Sequence, residues 1–168
     1  MKNFTKVVAR YSLILGFLAA STLYTAPSLA QKKITQVIED EDLNLKFEFQ
    51  ACQRKLKIVT CSFLLTKQEE ITGLYRNRGF YMYADERGVS RAFTADGEEY
   101  SAKLIQAGQK KGKYLVVKPL KGVPMRINLS FDLPASVRSL SAIAVNYKLQ
   151  ADVAQRKDIV FRDINISK

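Results

Sequence analysis

Residues 43–66 read LNLKFEFQACQRKLKIVTCSFLLT, and their alternation decides the fold class. Leu43, Leu45, Phe47, Phe49 and Ala51 fall on one side of an extended chain; Asp42, Asn44, Lys46, Glu48 and Gln50 fall on the other. A period of two marks a strand with one buried face. Ile58 to Leu65 is a second strand-like run, and the connection Gln53 to Lys57 is short and largely polar. A hairpin centred on Leu56 and Lys57 puts Cys52 directly opposite Cys61. Residues opposed in this way have Cα atoms about 4.5–5.5 Å apart, within reach of a disulfide. Closing so short a loop stabilises a fold by about 2–3 kcal/mol. Two free buried thiols are the alternative for Cys52 and Cys61, the only two cysteines in the chain.

The same pattern continues downstream. Gly79 to Ala84 reads as an aromatic-rich strand and Val89 to Ala95 as a short one. Asp96-Gly97 is a two-residue hairpin signal, with Glu98 to Ile105 returning as the partner strand. Gly108 to Lys113 is a basic loop, and Tyr114 to Lys118 a strand closed by Pro119. Met125, Ile127, Leu129 and Phe131 alternate with polar neighbours, as do Ile143, Val145, Tyr147 and Leu149. Ile159 to Ile166 is a terminal strand candidate. No amphipathic helix is evident. Short strands punctuated by turns predict an all-β, antiparallel β-sandwich of about 7–9 strands, with a barrel as the runner-up.

The N-terminus carries a different signal. Lys2, Lys6 and Arg10 precede an uncharged apolar stretch, Ser12 to Leu23, and Ser28-Leu29-Ala30 supplies small residues for a signal peptidase. Residues 1–30 are therefore read as a signal peptide, with Gln31 as the first residue of the processed chain. An uncleaved anchor is the alternative, but the apolar core is short against the about 20 residues that span a bilayer. Residues 31–42 read as a flexible polar lead-in, within which Ile34 to Ile38 is a candidate start of a first strand, and 43–168 as a single domain. The expected location is periplasmic or secreted, with no transmembrane anchor after cleavage.

Charge narrows the partners. The formal net charge is +11, and the leader holds three basic and no acidic residues, which leaves +8 afterwards. For an exported chain this favours anionic envelope polymer, lipid head groups or an envelope protein over nucleic acid. The candidate binding residues are Arg54, Lys55 and Lys57 at the hairpin, Arg76 and Arg78 before the aromatic strand, and Lys110, Lys111 and Lys113 in the basic loop. Tyr75, Tyr81 and Tyr83 add aromatic surface beside those cations. The competing reading is a merely solvated basic surface over an aromatic core.

Catalytic chemistry is sparse. The chain has no histidine, which removes the commonest general base and the commonest zinc ligand. Carboxylates remain, at Asp85-Glu86, Asp96-Glu98-Glu99 and Asp152/Asp158. They fit ordinary turns better than a glycan hydrolase, which needs a converging pair. The acidic run Glu39 to Asp42 lacks calcium-loop spacing. No catalytic residue, metal or cofactor is expected.

Several segments resemble the immunoglobulin-like, telokin-like domains of exported bacterial proteins of unknown function. They are the Cys52/Cys61 hairpin, Asp96 to Tyr100, Gly122-Val123-Pro124 leading to Phe131, and Val160 to Ile164, together spanning 43–166. The resemblance implies an immunoglobulin-like sandwich in an extracytoplasmic setting and brings no catalytic residues. This chain departs from it at Leu56, where such a tight turn ordinarily carries Gly. The expected function is that of a non-enzymatic binding or interaction module of the envelope. An accessory subunit of an envelope assembly is the alternative.

Overall fold

A computed structural model describes residues 36–70, 78–84, 89–150 and 156–168. The expected leader, Tyr75, Arg76, Asp85, Glu86 and Asp152 lie outside them. The described residues form eleven strands and no helix: β1 (Val37–Asp40), β2 (Leu45–Lys55), β3 (Ile58–Lys67), β4 (Phe80–Tyr83), β5 (Arg91–Phe93), β6 (Glu99–Ala107), β7 (Lys110–Gly112), β8 (Tyr114–Val117), β9 (Met125–Asp132), β10 (Ser139–Leu149) and β11 (Arg156–Ser167).

The all-β class holds, but the strand pairing corrects the open sandwich. β2, β3, β9, β6, β5, β10 and β11 pair in that order, and β11 pairs back onto β2. Seven strands thus close a ring, which is the hydrogen bonding of a barrel. Two strands make this possible. β6 leaves β9 and continues onto β5. β11 runs antiparallel to β10 for most of its length, then meets β2 in parallel at Ile166↔Cys52 and Ser167↔Gln53. Asp163, at φ +53°, marks the bend in β11. Aspartate tolerates this left-handed geometry better than most side chains do.

β1 occupies the seam beside that short parallel contact. The polar lead-in supplies this strand, which overlaps the candidate strand Ile34 to Ile38 at Val37 and Ile38 and runs on to Asp40, paired with β2 from Val37↔Glu48 to Asp40↔Leu45. On its other side Gln36 acts as a surrogate strand. Its Nε2 donates to the Arg162 carbonyl and its Oε1 accepts from the Arg162 N–H at 2.9 Å.

Alternating side chains fill the interior. Leu45, Phe47 and Phe49 from β2 meet Val59, Phe63 and Leu65 from β3, and Ile127, Leu129 and Phe131 from β9. Phe49, Phe63 and Phe161 form an aromatic cluster with centroids 5.1–5.9 Å apart. Each such pair contributes about 0.5–1.5 kcal/mol beyond its buried area. One detail departs from strict alternation. A bulge between Phe49 and Ala51 adds one residue to β2, so Ala51 leaves the core face and Cys52 takes it. Cys61 already faces inward, between Val59 and Phe63. The bulge therefore aims both cysteines at the core, where they form a disulfide with Cα atoms 4.0 Å apart.

Two turns differ in how well they match expectation. The β2–β3 turn is Leu56-Lys57, with Lys55 opposite Ile58. Between β5 and β6 the loop is longer than the two-residue Asp96-Gly97 turn. The Gly97 N–H donates to the Thr94 carbonyl and the Thr94 N–H to the Glu98 carbonyl, leaving three loop residues with Gly97 at φ +87°. That is a type I turn followed by a left-handed residue, the common three-residue hairpin.

Leu56 has φ +58° and is 86% exposed. A bulky residue held there costs about 1–2 kcal/mol, while glycine adopts the conformation freely at some cost in unfolded-chain entropy. Leu56→Gly is therefore expected to stabilise the protein by about 0.5–1 kcal/mol, read from the urea midpoint at unchanged slope. A lower midpoint would show that the turn is not strained.

Candidate functional site

The pairings place the cationic candidates at opposite ends of the ring. Ile58 lies opposite Asp132 at one end of β9, and Leu65 opposite Met125 at the other. The β2–β3 turn therefore belongs to the first end. The β6–β7 turn, which follows Ala107↔Ile127, belongs to the second. Lys55 and Lys57 are exposed at the first end; Lys110, Lys111 and Lys113 are exposed near the second. None of these five enters an ion pair among the described residues. Arg78 is exposed at the start of β4.

Arg54 has a different role. Its guanidinium donates to the Leu133 carbonyl at 3.1 Å and the Val137 carbonyl at 2.7 Å. This clamps the β9–β10 connection against the hairpin and occupies the fork that would otherwise meet an anion. The aromatic candidates are occupied too. Tyr81 and Tyr83 stack at 5.9 Å, and Lys148 Nζ lies 5.5 and 5.9 Å from their centroids. Tyr83 is buried and Tyr81 half-buried. These rings pack on one another and on a lysine that their neighbouring strand supplies, so they offer no open platform for stacking. Lys148 was not legible as part of this group, because it comes from a strand over 60 residues away in the chain.

A cavity of about 460 Å³ opens beside β1, lined by Glu39, Asp40, Glu41, Asp42, Tyr147, Lys157, Asp158 and Ile159. Its organising group is Asp40, only 7% exposed. The Tyr147 hydroxyl donates to Asp40 Oδ2 at 2.5 Å, and Lys157 Nζ donates to Asp40 Oδ1 and Asp42 Oδ2, each at 2.8 Å. Burial alone would push the Asp40 carboxyl upward; hydrogen bonds from Lys157 and Tyr147 outweigh it and hold the carboxyl below its ordinary value. Burial and the neighbouring Asp40 push the Tyr147 phenol far above its usual range. Burial opposes the charge on Lys157, but hydrogen bonds to Asp40 and Asp42 raise its ammonium overall.

This is the chemistry of a structural ion cluster. An ionised Asp40 is the reverse of the protonated carboxyl that a glycan hydrolase uses as its acid. The lysine ammonium sits where a cation between Asp40 and Asp42 would. Among the described residues, no group of three or more acidic, cysteine or histidine side chains is arranged to hold a metal. Sequence reasoning treated Glu39 to Asp42 as an unremarkable acidic run. Its partners, Tyr147 and Lys157, lie over 100 positions away and gave no local signal.

No family model matches the chain, and no curated protein matches it. Among solved structures, one that aligns is the secreted protein MPT63 of Mycobacterium tuberculosis, at 12% identity and a TM-score of 0.41, covering 76% of this chain and 91% of that one. No helix of the described residues is long and apolar enough to cross a membrane.

The cluster sets a pH signature. Asp40 is held below its unfolded value, so its contribution is present above that value and is lost as pH falls through the folded one. Tyr147 and Lys157 are raised, so their contributions are present below about pH 10 and are lost on the alkaline side. Asp40→Asn is expected to cost about 2 kcal/mol at neutral pH. That deficit should shrink as both proteins are acidified below about pH 4, in urea unfolding followed across pH. A deficit constant down to strongly acid pH would place the contribution elsewhere.

Proposed function

We propose that this chain is an exported, non-enzymatic β module of the cell envelope that binds an anionic partner through its lysine-bearing turns. The carrying observation is the set Lys55, Lys57, Lys110, Lys111 and Lys113, all exposed and none in an ion pair among the described residues. On a mixed surface, cations lie interspersed with carboxylates. Here the excess positive charge stands on two hairpins, at or beside their turns, where a rigid ring holds it toward solvent. Export is supported by the leader pattern of residues 1–30 and by a disulfide, which persists in oxidising compartments. The partner class is acidic: a wall polymer, an acidic polysaccharide or lipid head groups. Nucleic acid lies in another compartment, and the reading requires no cofactor.

Binding of this kind is screened by salt within a Debye length of about 8–10 Å. Protein recovered after export and immobilised should capture polyanionic envelope material at low salt and release it at high salt. Replacing the five lysines with glutamate should abolish the capture while changing the unfolding free energy by no more than about 0.5 kcal/mol per replacement. Capture of a protein that survives high salt would favour an accessory subunit of an envelope assembly. Capture unaffected by the five replacements would contradict the proposal.

A further inference from the structure

We infer that the β2–β3 turn is a membrane-docking wedge, with Leu56 entering the head-group layer of an anionic phospholipid surface and Lys55 and Lys57 gripping it. The inference rests on the anionic-partner reading and names its target at this end of the ring.

Four observations converge on the turn. Leu56 projects at the tip, 86% exposed, in a left-handed conformation that glycine would adopt without strain. A strained and solvated leucine brings no packing to the fold in return, and strain of this kind concentrates at functional positions. Ile58, the next residue but one, is also exposed, at 42%. Lys55 and Lys57 flank the leucine and have no ion pair among the described residues. The turn is also held rigid behind its tip, by the Cys52–Cys61 disulfide and by the Arg54 clamp on Leu133 and Val137. A rigid wedge loses little conformational entropy on insertion.

The surroundings extend the basic footprint. The Arg138 carbonyl accepts from the Ile166 N–H, and Ser167 pairs with Gln53, which brings Arg138 and the terminal Lys168 to this end. Asp132 faces Ile58 across β9. The acidic Asp96 to Glu99 turn stands at the same end but apart from the hairpin, three strands round the ring by way of β3, β9 and β6. An apolar tip between cations is the arrangement that an anionic bilayer rewards twice. Apolar area leaves water, and each lysine near the surface gains from the negative potential. A soluble polyanion rewards the lysines alone, so Leu56 separates the two.

The chain contains no tryptophan, which makes Leu56→Trp a clean reporter. The test uses protein recovered after export with phosphatidylcholine vesicles, with and without phosphatidylglycerol. A tryptophan at position 56 should shift its emission to the blue only with phosphatidylglycerol present, and one introduced as Val123→Trp, exposed next to Met125 at the opposite end, should not shift. Leu56→Gly should bind the anionic vesicles about tenfold more weakly while being no less stable than the parent. Joint Lys55→Gln and Lys57→Gln replacement should weaken binding by about thirtyfold. Equal vesicle affinity of parent and Leu56→Gly would overturn the wedge, as would an unshifted emission on bound vesicles. Salt-sensitive capture of dextran sulfate with no vesicle binding would overturn it too, while leaving the anionic-partner reading intact. Loss of both would remove that reading as well.

Discussion

A ring of strands must close somewhere, and here it closes on a contact of two residue pairs. β11 reaches β2 only at Ile166↔Cys52 and Ser167↔Gln53. Over the rest of its length, the edge of β11 that faces away from β10 has no full strand beside it. Gln36 and β1 fill that gap. The Gln36 amide supplies one donor and one acceptor to Arg162, as a strand backbone would. Further along, Asp40 of β1 binds Lys157 of β11 and Tyr147 of β10. Without these bonds the edge of β11 would present unpaired backbone groups to water or to another chain. The seam thus combines a short parallel contact, a side-chain surrogate and a buried charge cluster, and ring closure depends on all three.

The disulfide belongs to the same construction. Cys52 is one of the two β2 residues that pair with β11, and its carbonyl accepts from the Ser167 hydroxyl at 3.0 Å. The covalent link between β2 and β3 therefore fixes the surface on which the last strand docks. Closing that loop early restrains the unfolded chain, and it leaves the native hairpin as a stiff projection with Leu56 at its end.

Much of the ring was legible because its strands are half-buried. Leu45, Phe47 and Phe49, or Ile127, Leu129 and Phe131, alternate in sequence because they alternate across a sheet face. The opposition of Cys52 and Cys61 followed from the hairpin centre alone. Illegible features have non-local causes. The bulge that turns Cys52 inward leaves no mark in the alternation up to Ala51. Ring closure, rather than an open sandwich, depends on β11 bending at Asp163 to find β2, a contact between opposite ends of the domain. The true extent of the first strand was not legible, because the bonds that anchor Gln36 and Asp40 go to residues more than 100 positions later. Among the candidate site residues, Lys57 lies in the expected turn and Lys55 ends the strand beside it, but the expected basic loop is in part strand β7, which carries Lys110 and Lys111. Only the structure distinguishes Lys55 and Lys57, which are free, from Arg54, which is a clamp.

The filling of the seam by Gln36 can be measured at a single amide. In native-state hydrogen exchange the Arg162 N–H should exchange more slowly than the amides of exposed loops, since it is bonded to the Gln36 side chain in the seam. Gln36→Ala should release that amide while leaving the β3–β9 amides protected. Rapid exchange of Arg162 in the parent protein, at the rate of an exposed loop, would show that Gln36 does not fill the seam between β1 and β11 and would contradict this account of the seam.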